Sequence, residues 1–148
     1  SPKDNERMRS SPVPVLDGLK LEKRPSGVLH VTFNTPKTYN SFDDARYQGL
    51  MDALKFAEVT ESVSAVVLSS TGKFFSSGAS LSQDRLDAVM SGKPPAIGAS
   101  MAKKYVDALI DFPKLLVVAI QGPAYGISVT TLPFFDLVYC SPEATFTT

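Results

Sequence analysis

The sequence is poor in the residues that most often carry catalysis or bind metals. It contains one histidine, one cysteine and no tryptophan. A single cysteine excludes an internal disulfide bond, and one histidine with one cysteine argues against a zinc site. Because the partners of an activated nucleophile are missing, we expect Cys140 to be an inert core thiol and His30 a packed or surface imidazole.

The chain also lacks an excess of charge and a long hydrophobic run. Fifteen basic residues balance fifteen acidic residues, so the formal net charge is zero. Nothing in this balance favours nucleic acid or an anionic membrane surface as a partner. No apolar run is long enough to span a bilayer. With 43% hydrophobic residues, the 148 residues are enough for one domain with its own core.

The two ends of the chain differ from its middle. Residues 1–15 are polar, charged and interrupted by proline, which is typical of a flexible tail. We therefore expect a tail over residues 1–15 and a folded domain over residues 16–148. Residues 145–148 form a strand-like run. This ending favours either the N-terminal part of a larger domain or an incompletely ordered protein.

The hydrophobic pattern predicts alternating strands and helices. Residues 19–24 and Val28–Phe33 alternate apolar and polar around a turn, which predicts a β-hairpin. Ser41 is the expected N-cap of a helix that reaches about Glu58. The further predicted elements are strand Ala65–Ser70, a short helix over residues 82–90, a helix over residues 97–112, and strands at Leu115–Ile120, Leu137–Cys140 and residues 145–148. This order predicts an α/β fold with a largely parallel sheet.

A glycine-containing connection follows the apolar run Leu115–Ile120. Gly122 and Pro123 end this strand, since proline cannot continue a ladder. Gly126 then precedes a predicted helix that starts at Ile127. The unpaired N–H groups of a first helical turn, together with the helix dipole, attract negative charge.

A second connection, after the run Ala65–Ser70, has the same layout. Its small residues would let a ligand approach the backbone closely; they are Ser76, Ser77, Gly78, Ala79 and Ser80. Ligands bind at the carboxyl ends of parallel strands, so one N–H group from each loop could hold an oxyanion, at about 2.7–3.1 Å. The alternative is that both loops are ordinary turns in which glycine serves backbone geometry alone.

Several segments resemble one known family. They are residues 34–41 (NTPKTYNS), residues 75–81 (FSSGASL), residues 120–128 (IQGPAYGIS), and residues 135–141 together with residues 144–146. In this order and spacing they resemble the crotonase superfamily, the enoyl-CoA hydratase/isomerase family, from about residue 19 to residue 148. The resemblance implies a crotonase-like spiral of ββα units, truncated after the central strands.

The resemblance also implies a site. The backbone N–H groups of Ala79 and Ile127 would form an oxyanion hole for a thioester carbonyl, and the reaction would pass through an enolate. The implied acyl-CoA path is lined by Ser76, Ser77, Gly78, Ala79, Ser80, Gly126 and Ile127. Lys37, Thr38 and Tyr39 are implied to lie near the coenzyme A moiety. No metal and no separate cofactor is implied, since coenzyme A is part of the substrate.

Departures from the family pattern narrow the implied reaction. Thr130 stands where hydratases carry a glutamate, and threonine is a poor general base. The pattern is instead similar to the peroxisomal-type 3,2-enoyl-CoA isomerases, which use one carboxylate. That carboxylate is expected beyond Thr148, so no base is assigned here. Ser80 replaces the usual aspartate, and Pro133 should kink or shorten the helix from Ile127.

Three hypotheses remain open from the sequence. The first is an isomerase that shifts a 3-enoyl-CoA double bond to the 2-position in fatty acid β-oxidation. The second is another crotonase-family reaction, such as hydration or thioester hydrolysis. The third is a non-catalytic fragment that binds acyl-CoA or a partner. The resemblance further implies a homotrimer or homohexamer and a location in the peroxisome or the mitochondrion.

Overall fold

A computed structural model describes residues 12–80, 87, 90–92 and 98–148. Its strands are β1 (Leu19–Lys23), β2 (Val28–Phe33), β3 (Ala65–Ser70), β4 (Leu115–Ile120), β5 (Ala124–Tyr125), β6 (Leu137–Cys140) and β7 (Phe146–Thr147). Its α-helices are α1 (Asp44–Val59), α2 (Gly98–Asp111) and α3 (Ile127–Thr130). Two short 3-10 helices cover Pro36–Thr38 and Leu132–Phe134.

A five-stranded sheet, in the order β1-β2-β3-β4-β6, forms the centre of the fold. β1 and β2 pair as the predicted antiparallel hairpin, and every later pair in this sheet is parallel. The predicted α/β class with a largely parallel sheet is confirmed. A separate two-stranded sheet joins β5 to β7 in parallel, with Ala124 opposite Phe146.

The hydrophobic core lies between the sheet and helices α1 and α2. In β2 alternate residues are buried, because successive side chains point to opposite faces of a sheet, whereas β3 and β4 also bury consecutive residues. The buried strand residues include Leu29, Val31, Phe33, Val66, Leu68, Leu116, Val118 and Ile120, and the buried helix residues include Leu50, Leu54, Tyr105 and Leu109. This packing sets the positions of the loops at the carboxyl ends of β3 and β4.

Helix α1 begins later than the sequence pattern predicts. The N-cap is Asp43, whose side chain accepts a hydrogen bond from the Arg46 N–H at 2.8 Å. The prediction of Ser41 as N-cap is therefore wrong. The N–H of Phe42 donates to the carbonyl of Gly78 at 2.8 Å, which keeps the chain extended until Asp43. A long-range pairing thus set the start of this helix.

Strand β6 lies at the edge of the sheet, and this position overturns the prediction for Cys140. The cysteine is exposed, whereas a core thiol was expected. An edge strand pairs on one side only, so its residues have fewer neighbours to cover them.

Two predictions fall wholly or largely outside the described ranges. They are the tail, of which residues 1–11 are not described, and the short helix over residues 82–90. Within the part that is described, no helix has the length and apolar character needed to cross a membrane.

Candidate active site

The two predicted glycine loops lie side by side at the carboxyl ends of neighbouring parallel strands. The loop after β3 covers residues 71–80, and the loop after β4 covers residues 121–126. Backbone hydrogen bonds join them directly. The Phe75 N–H donates to the carbonyl of Pro123 at 2.9 Å, and the Tyr125 N–H donates to the carbonyl of Ser76 at 3.0 Å. The structure therefore brings the two loops together.

Glycine is required where the loops touch. Gly78 has a φ of +82°, and a Cβ built on it would lie 2.8 Å from the carbonyl oxygen of Tyr125. Gly126 has a φ of +55° and a ψ of −123°, a conformation that residues with a side chain rarely adopt. A Cβ on Gly126 would meet the Gly78 Cα at 3.9 Å. The small residues of both loops thus allow close backbone contact.

The N–H groups of Ala79 and Ile127 are two donors of these loops that have no partner among the described residues. Phe42 pairs with the peptides on either side of Ala79: its N–H donates to the Gly78 carbonyl, and its carbonyl accepts from the Ser80 N–H at 2.7 Å. The Ala79 N–H itself takes no part in this bridge. Neither the Ala79 N–H nor the Ile127 N–H donates a hydrogen bond to any residue of the described ranges. Each remains available to an acceptor from outside the loop.

Helix α3 is too short to have a substantial macrodipole. It ends at Thr130, and the 3-10 helix Leu132–Phe134 follows, with Pro133 in its first turn. The prediction that Pro133 shortens this helix is confirmed. Because four residues align few peptide dipoles, the individual N–H groups, rather than a macrodipole, provide the positive potential at this turn. The predicted contribution of a helix dipole at Ile127 is therefore wrong.

The predicted acyl-path residues lie at different depths. Ala79 is exposed and Ser76 and Gly78 are buried, while the others are partly buried: Ser77, Ser80, Gly126 and Ile127. The Ser76 hydroxyl donates to the carbonyl of Asn40 at 2.8 Å and accepts from the Gly78 N–H at 3.1 Å. Both functions of that hydroxyl are used inside the protein, so Ser76 supports the loop from within. Contact of these residues with a ligand stays a prediction.

Asn40 is a central residue of the site that sequence reasoning did not single out. It is fully buried and has a φ of +52°. Its Nδ2 donates to the carbonyls of Thr71 and Phe74 at 2.8 and 3.1 Å, and its Oδ1 accepts from the Thr35 N–H at 2.9 Å. Asparagine suits this role because it tolerates the left-handed region and carries both donors and an acceptor. The only sequence signal was its place in the NTPKTYNS segment.

Gln121 links the end of β4 to the first loop. Its Nε2 donates to the carbonyls of Gly72 and Phe74 at 3.0 and 3.2 Å, and its Oε1 accepts from the Ser70 hydroxyl at 2.8 Å. A Cβ on the next residue, Gly122, would clash with the carbonyl oxygen of Lys73. The sequence identified Gly122 as a strand breaker, but not this contact between loops.

Arg46 holds the NTPKTYNS segment, residues 34–41, through its side chain. Its guanidinium donates to the Thr35 hydroxyl and to the Gly18 carbonyl, and lies over the Phe33 ring, 4.7 Å from its centroid. Burial lowers the pKa of Arg46, and the nearby Asp43 opposes this shift. Arginine remains charged under such a shift, because its ordinary pKa is very high.

The segment predicted to lie near coenzyme A borders the first loop. Lys37 and Thr38 are exposed in the 3-10 helix Pro36–Thr38, and the carbonyl of Tyr39 accepts from the Ser77 N–H at 2.9 Å. The ring of Tyr39 is 55% exposed and lies 4.8 Å, between centroids, from that of Phe74. This arrangement offers an aromatic face and a cation beside the loop. Their contact with coenzyme A stays a prediction.

The described residues carry no carboxylate at position 130 and no cluster that could hold a metal ion. Thr130, at the position where hydratases were expected to carry glutamate, is exposed and donates its N–H to the Gly126 carbonyl at 3.0 Å. Groups of three or more histidine, cysteine, aspartate or glutamate residues that could hold a metal ion do not occur among the described residues. The site as it stands consists of backbone donors and the side chains that hold them.

Comparison with known proteins points to one family. A family profile described as Enoyl-CoA hydratase/isomerase matches residues 23–148. The chain is 39% identical over 122 residues to the mouse protein named "Enoyl-CoA delta isomerase 3, peroxisomal", covering 82% of this chain and 38% of that protein. It is 40% identical over 124 residues to rat "Enoyl-CoA delta isomerase 2", covering 82% of this chain and 31% of that protein.

Solved structures share the fold. The crystal structure of an enoyl-CoA hydratase from Mycobacterium avium subsp. paratuberculosis matches with a TM-score of 0.72 and 29% identity, covering 89% of this chain and 48% of that one. The likeness confirms the expected crotonase-like α/β fold. The chain thus spans less than half the length of these relatives.

Proposed function

This chain belongs to the enoyl-CoA hydratase/isomerase family, and we propose that it supplies the oxyanion hole of an enoyl-CoA isomerase. The reaction moves the double bond of a 3-enoyl-CoA to the 2-position. One observation carries the proposal: the unpaired N–H groups of Ala79 and Ile127 lie on two loops in direct backbone contact. The names of the mouse and rat relatives support isomerisation as the reaction class.

The chemistry needs stabilisation of negative charge on the thioester oxygen. Removal of a proton from C2 of the 3-enoyl thioester gives a dienolate, and return of a proton to C4 leaves the double bond between C2 and C3. No oxidant, reductant or metal takes part in this balance. Two preorganised N–H donors stabilise the dienolate more than the neutral thioester, and removal of one such donor costs about 100- to 1,000-fold in rate.

The base that moves the proton is not assigned to any residue of this chain. Thr130 cannot fill the role, because its hydroxyl does not ionise near neutral pH. We propose that one carboxylate from the region after Thr148 acts as the base. Isomerase activity is accordingly proposed for the complete protein.

The remaining features of the proposal concern binding and assembly. Lys37, Thr38 and Tyr39 are proposed to contact coenzyme A, which enters as part of the substrate, and no separate cofactor is needed. A homotrimer or homohexamer is proposed from the family resemblance. The word "peroxisomal" in the mouse relative's name supports a peroxisomal location and a role in β-oxidation.

The decisive experiment compares Ile127→Pro with Ile127→Ala in the complete protein. Ile127 is the first residue of α3, a position where proline fits the helix and removes only an N–H that makes no bond there. Ile127→Ala keeps the N–H and shortens the side chain. With a 3-enoyl-CoA substrate we expect kcat to fall about 100-fold or more in the proline variant and less than about tenfold in the alanine variant.

Three results would contradict the proposal. An unmodified complete protein that adds water to a 2-enoyl-CoA faster than it isomerises a 3-enoyl-CoA would make it a hydratase. Binding of acyl-CoA without turnover would favour the non-catalytic reading. Equal rates in the two Ile127 variants would show that the Ile127 N–H is not part of the oxyanion hole.

A further inference from the structure

The hydroxyl of Ser128 binds both polar backbone atoms of Tyr125. It accepts a hydrogen bond from the Tyr125 N–H at 3.0 Å and donates to the Tyr125 carbonyl at 2.7 Å. Ser128 is 2% exposed. These two bonds close a small ring around the Gly126–Ile127 peptide, whose N–H has no partner among the described residues.

Tyr125 is also the point where the second loop contacts the first. Its N–H is shared between the Ser128 hydroxyl and the Ser76 carbonyl, at 3.0 Å to each. Its carbonyl lies against Gly78, the residue before Ala79. A side chain that fixes the Tyr125 peptide groups therefore fixes the second loop relative to the first.

Other groups also hold this turn: the Gly126 N–H donates to the Thr147 carbonyl at 2.8 Å, and the Ile127 carbonyl accepts from the Thr131 hydroxyl at 2.7 Å. The Gly126 carbonyl accepts from the N–H groups of Val129 and Thr130, at 2.9 and 3.0 Å, and α3 then ends. Since Gly126 has unusual freedom of φ and ψ, the turn can rotate at this residue unless something opposes it. The Ser128 hydroxyl opposes this rotation from the other side of Gly126, because it binds both the N–H and the carbonyl of Tyr125.

We propose that Ser128 is a positioning residue that aims the Ile127 N–H at the point served by the Ala79 N–H. The inference rests on the oxyanion hole proposed above. Ser128 is not a nucleophile, because its hydroxyl proton is committed to the Tyr125 carbonyl and its side chain is buried. Without the hydroxyl the two donors would still be present, but less well aligned with the thioester oxygen.

The test uses Ser128→Ala, Ser128→Thr and Thr60→Val in the complete protein. Thr60 is the matched control, since it is also 2% exposed and its hydroxyl donates to the Phe56 carbonyl at 2.6 Å, at the end of α1. Thr60→Val removes a buried hydroxyl without touching either loop. Ser128→Thr keeps the hydroxyl.

We expect Ser128→Ala to lower kcat about tenfold with less than about a twofold change in KM, a smaller loss than deletion of a donor. Ser128→Thr should stay within about threefold of the unmodified protein, and Thr60→Val should match it. A misaligned donor reduces stabilisation of the transition state more than it reduces substrate binding. A general loss of folded protein would instead lower the amount of active enzyme in the control variant as well.

A second readout does not depend on turnover. The infrared stretch of the thioester carbonyl in bound butanoyl-CoA moves to lower frequency when hydrogen-bond donors polarise it. This shift should be present in the unmodified protein, reduced in Ser128→Ala and unchanged in Thr60→Val.

The outcomes separate the two proposals. If the unmodified protein isomerises and shifts the carbonyl band but Ser128→Ala does the same, Ser128 has no positioning role and the proposed function stands. If Ser128→Thr is as slow as Ser128→Ala, the hydroxyl is not the cause and the inference fails. If the unmodified protein neither isomerises nor shifts the band, the oxyanion hole itself fails.

Discussion

The carbonyl oxygen of Tyr125 lies 2.8 Å from the position that a Cβ on Gly78 would occupy. This contact joins the loops after β3 and β4 at the residue next to Ala79. It leaves no room for a side chain at Gly78, and the partner atom is backbone, which cannot move aside like the end of a flexible side chain. The close spacing of the two loops therefore depends on the absence of a Cβ at Gly78.

Gly78→Ala should lower both stability and activity. The positive φ alone costs about 1–2 kcal/mol for a residue with a Cβ, and the contact with Tyr125 adds to it, so we expect a total above about 2 kcal/mol. Gly92→Ala is the control: Gly92 has a φ of +67° but nothing within 4 Å of its Cβ position. It should lose about 1–2 kcal/mol and no activity. Denaturant unfolding and isomerase assays measure both quantities, and similar losses in the two variants would refute the role of the contact.

Asn40→Gly should destabilise the first loop although glycine accepts the positive φ. The substitution removes the Nδ2 donor, so the carbonyls of Thr71 and Phe74 lose a buried partner. We expect a loss of about 2–3 kcal/mol in the free energy of unfolding. Asn34→Gly is the comparison, because Asn34 is exposed and, among the described residues, its side chain accepts from the Thr71 hydroxyl alone. It should lose less than half as much, and an equal loss would contradict the importance assigned to Asn40.

Lys114→Met should weaken the junction between α1 and β4. The Lys114 Nζ donates to the carbonyls of Ala57, Thr60 and Val63 at 2.6, 2.9 and 2.7 Å, at the C-terminal end of α1. Methionine keeps an apolar stem but offers no donor, and we expect a loss of about 2 kcal/mol in thermal or denaturant unfolding. Lys103→Met removes only an exposed pair with Asp107 and should cost below about 0.5 kcal/mol. Isomerase activity of the folded Lys114→Met protein should be unchanged.

Tyr105→Phe should reduce the loss of stability in alkaline solution. Burial raises the pKa of the Tyr105 phenol well above its ordinary value of about 10. Below about pH 10 the folded and the unfolded chain both keep the phenol proton, so the contribution of Tyr105 to the free energy of unfolding is fully present. Above about pH 10 the unfolded chain releases the proton and the folded one retains it, so stability falls by up to about 1.4 kcal/mol per pH unit.

The measurement for this prediction is the free energy of unfolding between about pH 8 and pH 11, on either side of the ordinary tyrosine pKa. Tyr39→Phe serves as the control, since Tyr39 is 55% exposed. Above about pH 10, the free energy of unfolding should fall less steeply with pH in Tyr105→Phe and as steeply as before in Tyr39→Phe. If the two variants have the same slope, the buried phenol is not responsible.

Local patterns in the sequence were sufficient for most elements. The β-hairpin, β3, β4 and β6 appear where alternation or short apolar runs predict them, because the strand period of two is a property of neighbouring residues. Helix α2, observed at Gly98–Asp111, was expected at residues 97–112. The two glycine loops and the shortening of α3 at Pro133 followed from residue chemistry alone.

Contacts between distant residues decided the rest. The N-cap moved from Ser41 to Asp43 because Phe42 pairs with the first loop, and Cys140 is exposed because β6 is an edge strand. Asn40 gained its role from carbonyls more than thirty residues away. No local pattern contains such partners.

The sequence by itself determined the strands of the five-stranded sheet, which loops carry glycine and which family the chain resembles, but not strand β5. Only the tertiary structure decided that the Ala79 and Ile127 N–H groups lie on touching loops without a partner among the described residues, and that the Ser128 hydroxyl binds one of those loops. The reason is physical. Periodicity and turn chemistry act between neighbours in the chain, whereas the pairing of a backbone donor depends on every acceptor that folding brings near it.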